Sequence, residues 1–259
     1  MKTRISHDNP FPRNAKAHLW EHLKNNISNL HLDFGANDGN VLHKLYNSGV
    51  IKKGVGLDAN EELVEKFNYS NRSNDIYLQS IKVNKDIPFA DNYFESTSLF
   101  GVLEHVSNQK KLLNELHRVT KENGIFLIAV PGKHLFSFLD MGNWKFIFPR
   151  AHKLIYSLYH GSDLYKKRYI DNQFGLIGDI EIEKSWHQHF SKKELLKILE
   201  TNGFIDIKID GFGFFHRLFM NIRFFLPGKI KKILDPLIEL DKILFSHAEI
   251  WGIARVKKN

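Results

Sequence analysis

The order of apolar and amphipathic segments predicts an α/β fold with a mostly parallel β-sheet and helices on both faces of that sheet. Short apolar runs bounded by turn residues alternate with segments of helical period, which is typical of this architecture. No Pro-, Gly- or Ser-rich linker divides the 259 residues, and 42% hydrophobic with 25% charged residues is typical of a globular protein. We therefore expect one elaborated domain over residues 1–259.

Seven segments have the length and composition of β-strands. In chain order they are residues 29–35, 53–58, 76–81, 94–100, 124–130, 204–210 and 247–256. Most of them are separated by helical segments, which favours parallel pairing.

The helical segments lie near residues 40–48, 60–67 and 108–120. A further helix begins after Ser191, because Ser is a preferred N-cap and Glu194 three positions later completes a capping box. Gly203 supplies the signal that ends this helix.

Two insertions, residues 132–186 and 212–246, are longer than such a scaffold needs, and we expect both to form a helical cap near the ligand crevice. The first is rich in aromatic residues, which predicts a packed helical lid that also excludes water. The second has apolar residues at helical spacing, with Lys229, Lys231 and Lys232 on other faces. This pattern fits a packed cap helix, a surface for anionic lipid or a lipid-linked substrate, or a dimer interface.

The strongest local signal is the segment LHLDFGANDG at residues 30–39, an apolar strand that continues into a turn with two glycines and then a helix. Gly35 and Gly39 allow positive φ and a close approach of the main chain to a ligand. The turn follows the carboxyl end of a strand, where open α/β sheets bind their ligands.

A second signal is Asp58, which ends an apolar strand 19 residues after Gly39. A carboxylate there can accept both hydroxyl hydrogens of a ribose, so the pair of signals favours an adenosyl cofactor. Asn37 stands where a dinucleotide-binding G-x-G-x-x-G turn has its second glycine. Together with the acidic Asp33, this favours a ligand without phosphates but with a cationic amino-acid tail, and S-adenosyl-L-methionine has both properties.

Four motifs in succession resemble those of class I S-adenosylmethionine-dependent methyltransferases, specifically the type 11 small-molecule branch. They are DFGANDG at 33–39, GLD at 56–58, IPFADNYFE at 87–95 and VLEHV at 102–106. The resemblance covers roughly residues 30–131 and resumes at 187–204. It implies a Rossmann-like, seven-stranded and mostly parallel sheet with strand order 3-2-1-4-5-7-6 and an antiparallel last strand.

By this resemblance the glycine turn contacts the methionine part of the cofactor, Asp58 contacts the ribose, and residues after strands three and four contact the adenine and sulfonium side. The implied cofactor-binding residues are Asp33, Gly35, Ala36, Asn37, Gly39, Asp58, Ala59, Gln79, Ser80, Phe100, Gly101, Val102 and His105. The family commonly has an acidic residue after the third strand, where this chain has Gln79 and Ser80. We expect a glutamine side chain or a backbone carbonyl to accept the hydrogen bond of the adenine amine instead.

Four histidines are candidates for a catalytic role, because a general base is needed when the acceptor atom is protonated and weakly acidic. His105 follows the fourth strand, His134 follows the fifth, and His187 and His189 re-enter from the first insertion. The alternative for each is a structural role. The pair at 187 and 189 has no third ligand nearby in sequence, so we expect no metal site.

Bulk composition restricts the function classes further. The absence of cysteine excludes disulfides and thiolate nucleophiles. The net charge of +8, mostly from residues 213–259, is typical of proteins that bind nucleic acid or an anionic membrane. The segment FGVLE at 100–104 lacks the Asn/Asp-Pro-Pro-aromatic motif of amino-methylating nucleic-acid enzymes, and methylation of a pyrimidine carbon needs a cysteine.

We therefore expect methylation of an oxygen or nitrogen on a small molecule or glycan precursor. The alternatives are a lipid-linked or nucleic-acid acceptor, or a non-catalytic cofactor-binding relative. No run reaches the ~18 apolar residues of a membrane span, so we expect a cytoplasmic protein with, at most, peripheral membrane contact through residues 213–246. The oligomeric state stays open.

Overall fold

The computed structural model describes residues 10–11, 15–25, 28–82, 85–170, 187–226 and 230–258. Its centre is a seven-stranded sheet in the order β3-β2-β1-β4-β5-β7-β6. The strands are β1 (Ser28–Phe34), β2 (Ile51–Asp58), β3 (Ile76–Ser80), β4 (Phe94–Phe100), β5 (Thr120–Pro131), β6 (Phe204–Phe212) and β7 (Glu249–Val256). Neighbouring strands are parallel except β7, which is antiparallel to both β5 and β6. The predicted fold class, strand order and antiparallel last strand are confirmed.

Helices connect the strands and fill the insertions. Within the described residues they are α1 (Ala15–Lys24), α2 (Asn40–Asn47), α3 (Glu61–Ser70), α4 (Gln109–Val119), α5 (Met141–Ile147), α6 (Pro149–His160), α7 (Ser162–Tyr169), α8 (Lys192–Thr201), α9 (His216–Phe225) and α10 (Asp235–Leu244). Short 3₁₀ segments lie at Leu103–His105, Leu135–Leu139 and Ile230–Leu234. The predicted helices near 40–48, 60–67 and 108–120 correspond to α2, α3 and α4, and the Ser191–Glu194 capping box opens α8 as predicted.

The structure adds one helix to the prediction and shifts most strand ends by one or two residues, with the largest shift at the start of β5. The helix α1 was not expected, and β5 begins at Thr120, four residues before the predicted start at 124. The hydroxyl of Thr120 donates to the Leu116 carbonyl at 2.5 Å and lies 3.1 Å from the hydroxyl of Thr97 on β4. These side-chain contacts lead the chain directly from α4 into β5, although residues 121–123 at the start of the strand are polar.

The core consists of two hydrophobic clusters, one on each face of the sheet, because successive residues of a strand point to opposite faces. Along β5, Phe126 and Ile128 belong to the cluster that contains α4 and α8, while Leu127 and Ala129 belong to the cluster that contains α1, α2 and α3. All four are at least nine-tenths buried. Helices therefore cover both faces of the sheet, and the carboxyl ends of β1, β2 and β4 meet at one edge.

The two insertions form helices that contact each other. The first contains α5, α6 and α7, and the second contains α9 and α10. The Asn221 side chain on α9 donates a hydrogen bond to the Leu139 carbonyl at 2.8 Å, which joins the insertions. Residues 171–186 of the first insertion and Lys229 of the second lie outside the described residues. Within the described ranges, none of the helices combines the length and apolar character needed to cross a bilayer.

Candidate functional site

The glycine turn after β1 has the backbone conformation that the sequence predicts. Gly35 and Gly39 have φ of +76° and +71°, and Asn37 between them has φ of +51°. A Cβ on Gly35 would lie 2.2 Å from Cγ2 of Val102, and one on Gly39 would lie 2.4 Å from the ring of Phe67. Both glycines are therefore required by positive φ and by close packing of the turn against its neighbours.

Asp58 lies directly beside this turn. One of its carboxylate oxygens accepts the backbone N–H of Asn37 at 2.7 Å, and the other accepts the backbone N–H of Asn60 at 2.9 Å. Since a carboxylate oxygen can accept two hydrogen bonds, each oxygen keeps one acceptor position for the hydroxyl of a bound sugar. The backbone N–H groups of Gly35 and Ala36 both donate to the Leu57 carbonyl, at 2.8 and 3.0 Å. The turn and the carboxylate thus form one continuous unit that fits an adenosyl ligand.

Asp33, the acidic residue before the turn, is buried with 2% exposure. Its carboxylate accepts the hydroxyl hydrogen of Ser98 on β4 at 2.6 Å, and Ser98 lies 3.0 Å from Nε2 of His31. Nδ1 of His31 lies 2.8 Å from the hydroxyl of Ser96. Burial lowers the pKa of His31 to about 3, so the ring is neutral inside this polar network. Asp33 therefore supports the base of the turn from within the sheet.

The other predicted cofactor residues lie at or just after the carboxyl ends of β1, β2, β3 and β4, and they differ in exposure. Ala36 and Val102 are buried, Gly101 is exposed, and Ala59, Gln79, Ser80, Phe100 and His105 are partly exposed. Ser80 pairs with Asp58 and Gln79 pairs with Leu57 across β2 and β3, so the predicted adenine side adjoins the ribose carboxylate. Ala36 and Val102 can present only their main chain to a ligand, because their side chains are packed.

A cluster of titratable side chains converges on Asp140, which follows the 3₁₀ segment of the first insertion. Its Oδ2 lies 2.5 Å from Nδ1 of His187, 2.8 Å from Nε2 of His189 and 3.2 Å from a guanidinium nitrogen of Arg217. Burial alone raises the pKa of Asp140, but the hydrogen bonds from the two histidines and the positive charge of Arg217 together hold this pKa well below its usual range. The ionised carboxylate only accepts, so each histidine donates through the nitrogen that faces it.

Hydrogen bonds from Asn143 and Gln109 hold the segment that carries His187 in place. The side-chain oxygen of Asn143 on α5 accepts the His187 backbone N–H at 2.8 Å, and the amide nitrogen of Asn143 donates to the His187 carbonyl at 3.0 Å. The amide of Gln109 donates to the Gln188 side chain at 2.9 Å and to the Leu103 carbonyl at 2.9 Å. These bonds fix the histidine pair against the 3₁₀ segment that follows β4.

Glu104 is a functional candidate that sequence reasoning missed. It is 4% exposed, and burial raises its pKa to about 7. Its Oε1 lies 3.9 Å from Nε2 of His105 and 3.8 Å from Nε2 of His187, whose rings are 4.6 Å apart. Its Oε2 is buried and has no hydrogen-bond partner among the described residues. The sequence signal for Glu104 is its position inside the VLEHV motif, directly before the candidate His105.

His134 has a different environment from the other three histidines. Its Nδ1 accepts the Phe136 backbone N–H at 3.3 Å, and the Ser137 hydroxyl accepts the His134 backbone N–H at 2.8 Å, which together cap the 3₁₀ segment. Burial, followed by the positive charge of Arg217, lowers the pKa of His134 to about 4. The one ring nitrogen that accepts is used for capping, so the geometry favours a structural contribution. The structure thus brings His105, His187 and His189 together and gives His134 a capping position.

The strand order, the glycine turn and the adjacent strand-ending Asp58 define a class I methyltransferase fold. The sequence profile of the methyltransferase domain family matches residues 15–209, and the chain belongs to this family. Family and fold together confirm the prediction of a methyltransferase domain whose cofactor is S-adenosyl-L-methionine.

Individual relatives are more distant. A demethylmenaquinone methyltransferase of Leptospira interrogans is 28% identical over 124 residues, which are 46% of this chain and 50% of that protein. The chain thus spans about half the length of the curated relatives it matches. An S-adenosylmethionine-dependent methyltransferase of Archaeoglobus fulgidus has a TM-score of 0.55 at 19% identity. The similarity covers 93% of this chain and 92% of that chain.

A Haemonchus contortus phosphoethanolamine N-methyltransferase, solved with phosphomonomethylethanolamine and S-adenosylhomocysteine, has a TM-score of 0.55 at 14% identity. The similarity covers 89% of this chain and 49% of that chain. At these identities, both structural similarities concern the fold alone.

Proposed function

We propose that this domain transfers a methyl group from S-adenosyl-L-methionine to an oxygen or nitrogen atom of a small molecule or glycan precursor. The observation that carries the proposal is the Asp58 carboxylate, held by the N–H groups of Asn37 and Asn60 beside the glycine turn. The cluster of Glu104, His105 and His187 follows β4 at the same edge of the sheet, which supports an acceptor position next to the cofactor.

The cofactor supplies a methyl group that is already activated by the positive charge on sulfur. The residues of the chain have the tasks of binding, orienting and excluding water, because most of the advantage comes from holding the acceptor ~3 Å from the methyl carbon. In this proposal Asp58 accepts the ribose hydroxyl hydrogens, the main chain of residues 35–39 contacts the methionine part, and Gln79 and Ser80 border the adenine. Asp33 contributes negative charge below the turn.

A protonated acceptor must also lose a proton during the reaction. His105, His187 and His189 are the candidates that lie together, and Asp140 orients two of them. His187 donates through Nδ1 to Asp140, so its Nε2, 3.8 Å from Oε1 of Glu104, is the nitrogen left to accept a proton. These roles stay proposals, and His134 is the weakest of the four candidates because capping uses its Nδ1.

Calorimetric titration with S-adenosyl-L-methionine tests the cofactor site. We expect Asp58→Ala to weaken binding by about 1–3 kcal/mol through lost charged hydrogen bonds, which is roughly a 5- to 150-fold rise in Kd. Glu65→Ala, exposed on α3, is the matched control and should bind as the wild type does. Unchanged affinity in the Asp58 variant would refute the ribose assignment. Absence of binding to the wild type at millimolar cofactor would instead favour a non-catalytic relative.

A lipid-linked acceptor is the second candidate, because exposed apolar side chains concentrate on the two insertions. Among the described residues, all exposed large hydrophobic side chains except Tyr69, Tyr77 and Tyr93 lie in residues 132–170 and 212–246. Examples are Leu158 at 75% and Ile233 at 70% exposure. Exposed Lys231 and Lys232 precede Ile233, so the surface combines apolar area with positive charge, which favours an anionic lipid surface.

Vesicle co-sedimentation tests this candidate. We expect the protein to bind vesicles of equimolar phosphatidylcholine and phosphatidylglycerol, and to bind pure phosphatidylcholine more weakly. The double variant Leu158→Ser with Ile233→Ser should lose most of this binding. Tyr69→Ser, which removes a side chain of 94% exposure outside the insertions, is the matched control and should bind as the wild type does. Equal binding by all three proteins would exclude the insertions as the lipid surface.

A further inference from the structure

We infer that Glu104, His105 and His187 form a binding site for a divalent transition-metal ion. One carboxylate oxygen and two imidazole nitrogens of these residues lie within 4.8 Å of one another. Oε1 of Glu104 is 3.8 Å from Nε2 of His187 and 3.9 Å from Nε2 of His105. These separations are too long for hydrogen bonds. They match ligand atoms that share one ion, since metal–ligand bonds of about 2.0–2.2 Å place two ligands roughly 3–4 Å apart.

The hydrogen bond between His187 and Asp140 supports this inference independently. Nδ1 of His187 donates to Oδ2 of Asp140 at 2.5 Å, because the carboxylate can only accept. With this proton on Nδ1, the ring nitrogen that remains for a ligand is Nε2, which lies 3.8 Å from Oε1 of Glu104. A histidine that ligates a metal typically donates its other N–H to a carboxylate in this way, which fixes the tautomer and the ring orientation.

The burial of Glu104 supplies the third argument. Its Oε2 has no hydrogen-bond partner within the described part of the chain, and the whole residue is 4% exposed. Buried carboxylates are normally paired or bound to metal, because an uncompensated buried charge is costly. A cation held between Nε2 of His187 and Oε1 of Glu104, which lie 3.8 Å apart, satisfies both atoms.

A second grouping, Asp140 with His187 and His189, is a weaker candidate for the same ion. Oδ2 of Asp140 already accepts from both histidines, and a guanidinium nitrogen of Arg217 lies 3.2 Å away. The positive charge of Arg217 opposes a second cation there. Asp140 is therefore the residue that orients His187, and Glu104 is the carboxylate ligand.

This inference rests on the proposed methyl transfer and specifies its acceptor as a hydroxyl-bearing molecule. Glu104 is close to the cofactor side, because its Oε1 lies 3.5 Å from the position of a Cβ on Gly101, and Val102 packs on Gly35. Glu104, His105 and His187 would hold the ion, which would lower the pKa of an acceptor hydroxyl so that its proton passes to solvent, in place of a histidine base. The hydroxyl oxygen would then form the bond to the methyl carbon, while the carbon–sulfur bond breaks and its electron pair stays on sulfur.

Cobalt binding to tag-free protein, stripped with EDTA and dialysed, tests the inference. We expect one Co²⁺ per chain by calorimetry, visible d–d absorption typical of nitrogen and oxygen ligands, and displacement by Zn²⁺. Glu104→Gln and His187→Gln should each weaken Co²⁺ binding at least tenfold. His43→Gln, on the exposed side of α2, is the matched control and should bind as the wild type does. Thermal melts by circular dichroism establish that each variant is folded.

Two results would overturn the metal site: no saturable Co²⁺ binding to the wild type, or wild-type affinity in a folded Glu104→Gln protein. Titration of the metal-free protein with S-adenosyl-L-methionine separates this failure from failure of the proposed function. Cofactor binding without cobalt binding would leave the methyltransferase proposal standing and remove only the metal. Cobalt binding without cofactor binding would leave the metal site standing and remove the methyltransferase proposal.

Discussion

Replacement of His31 by glutamine should remove a large part of the acid sensitivity of this fold. His31 is completely buried between β1 and β4, with Ser96 and Ser98 at 2.8 and 3.0 Å from its two ring nitrogens. Burial lowers its pKa from 6.5 to about 3. Glutamine keeps one donor and one acceptor for the two serines but does not titrate in this range.

The sign and size of the effect follow from proton linkage. Below pH 6.5 the unfolded chain binds a proton at His31 that the folded chain refuses until about pH 3, so the free energy of unfolding falls as pH falls through this window. The slope approaches about 1.4 kcal/mol per pH unit. Between pH 7 and pH 5 the wild type should lose about 2 kcal/mol through this residue.

Urea unfolding followed by circular dichroism at pH 7, 6 and 5 measures this loss. Burial also lowers the pKa of His134 and of His216 to about 4, so both add acid sensitivity, but they do so equally in the wild type and the variant. The difference between the two proteins therefore isolates His31. His43→Gln should keep the wild-type slope. If His31→Gln and the wild type lose the same stability between pH 7 and pH 5, the neutral buried histidine is refuted.

Two further predictions concern the glycine turn after β1 and the N-cap of α8. Gly35→Ala should destabilise the fold by several kcal/mol, because φ of +76° is unfavourable for alanine and the new Cβ would lie 2.2 Å from Val102. Thermal unfolding should show a lower melting temperature, which the additional substitution Val102→Ala should partly restore. Ser191→Ala should cost about 1 kcal/mol of stability through loss of the α8 capping box, with unchanged affinity for S-adenosyl-L-methionine. Urea unfolding and calorimetry check the second prediction, and a weakened cofactor affinity would contradict it.

The sheet was predictable because its signals are local. The strand β4 coincides with the predicted range 94–100, and the Ser191–Glu194 capping box follows from two residues three positions apart. The helix α1 was not predicted because its apolar stripe is short: Leu19, Trp20 and Leu23 are buried, and the other residues of the helix are alanine or polar. Such a helix gains its stability from packing on the sheet rather than from its own sequence, so local reasoning does not detect it.

The candidate site divides in the same way. The glycine turn and Asp58 lie at the ends of adjacent strands, and short-range patterns specify both of them. The network around Asp140 and His187 joins Glu104, which follows β4, to the first insertion and to Arg217 on α9. No sequence spacing relates these residues. Glu104 became a candidate only when the fold placed two histidines next to its carboxylate, and the expectation of no metal site considered only ligands close in sequence.

The bonds at Asp140 have a consequence for how this domain acquires new substrates. Asp140 belongs to one insertion and Arg217 to the other, whereas Asp58 and the glycine turn belong to the strands of the sheet. Exchange of either inserted segment would alter the groups presented to an incoming molecule while the nucleoside-binding half kept its geometry. Selection can therefore diversify the acceptor chemistry through the two inserts while the sheet continues to serve the same methyl donor.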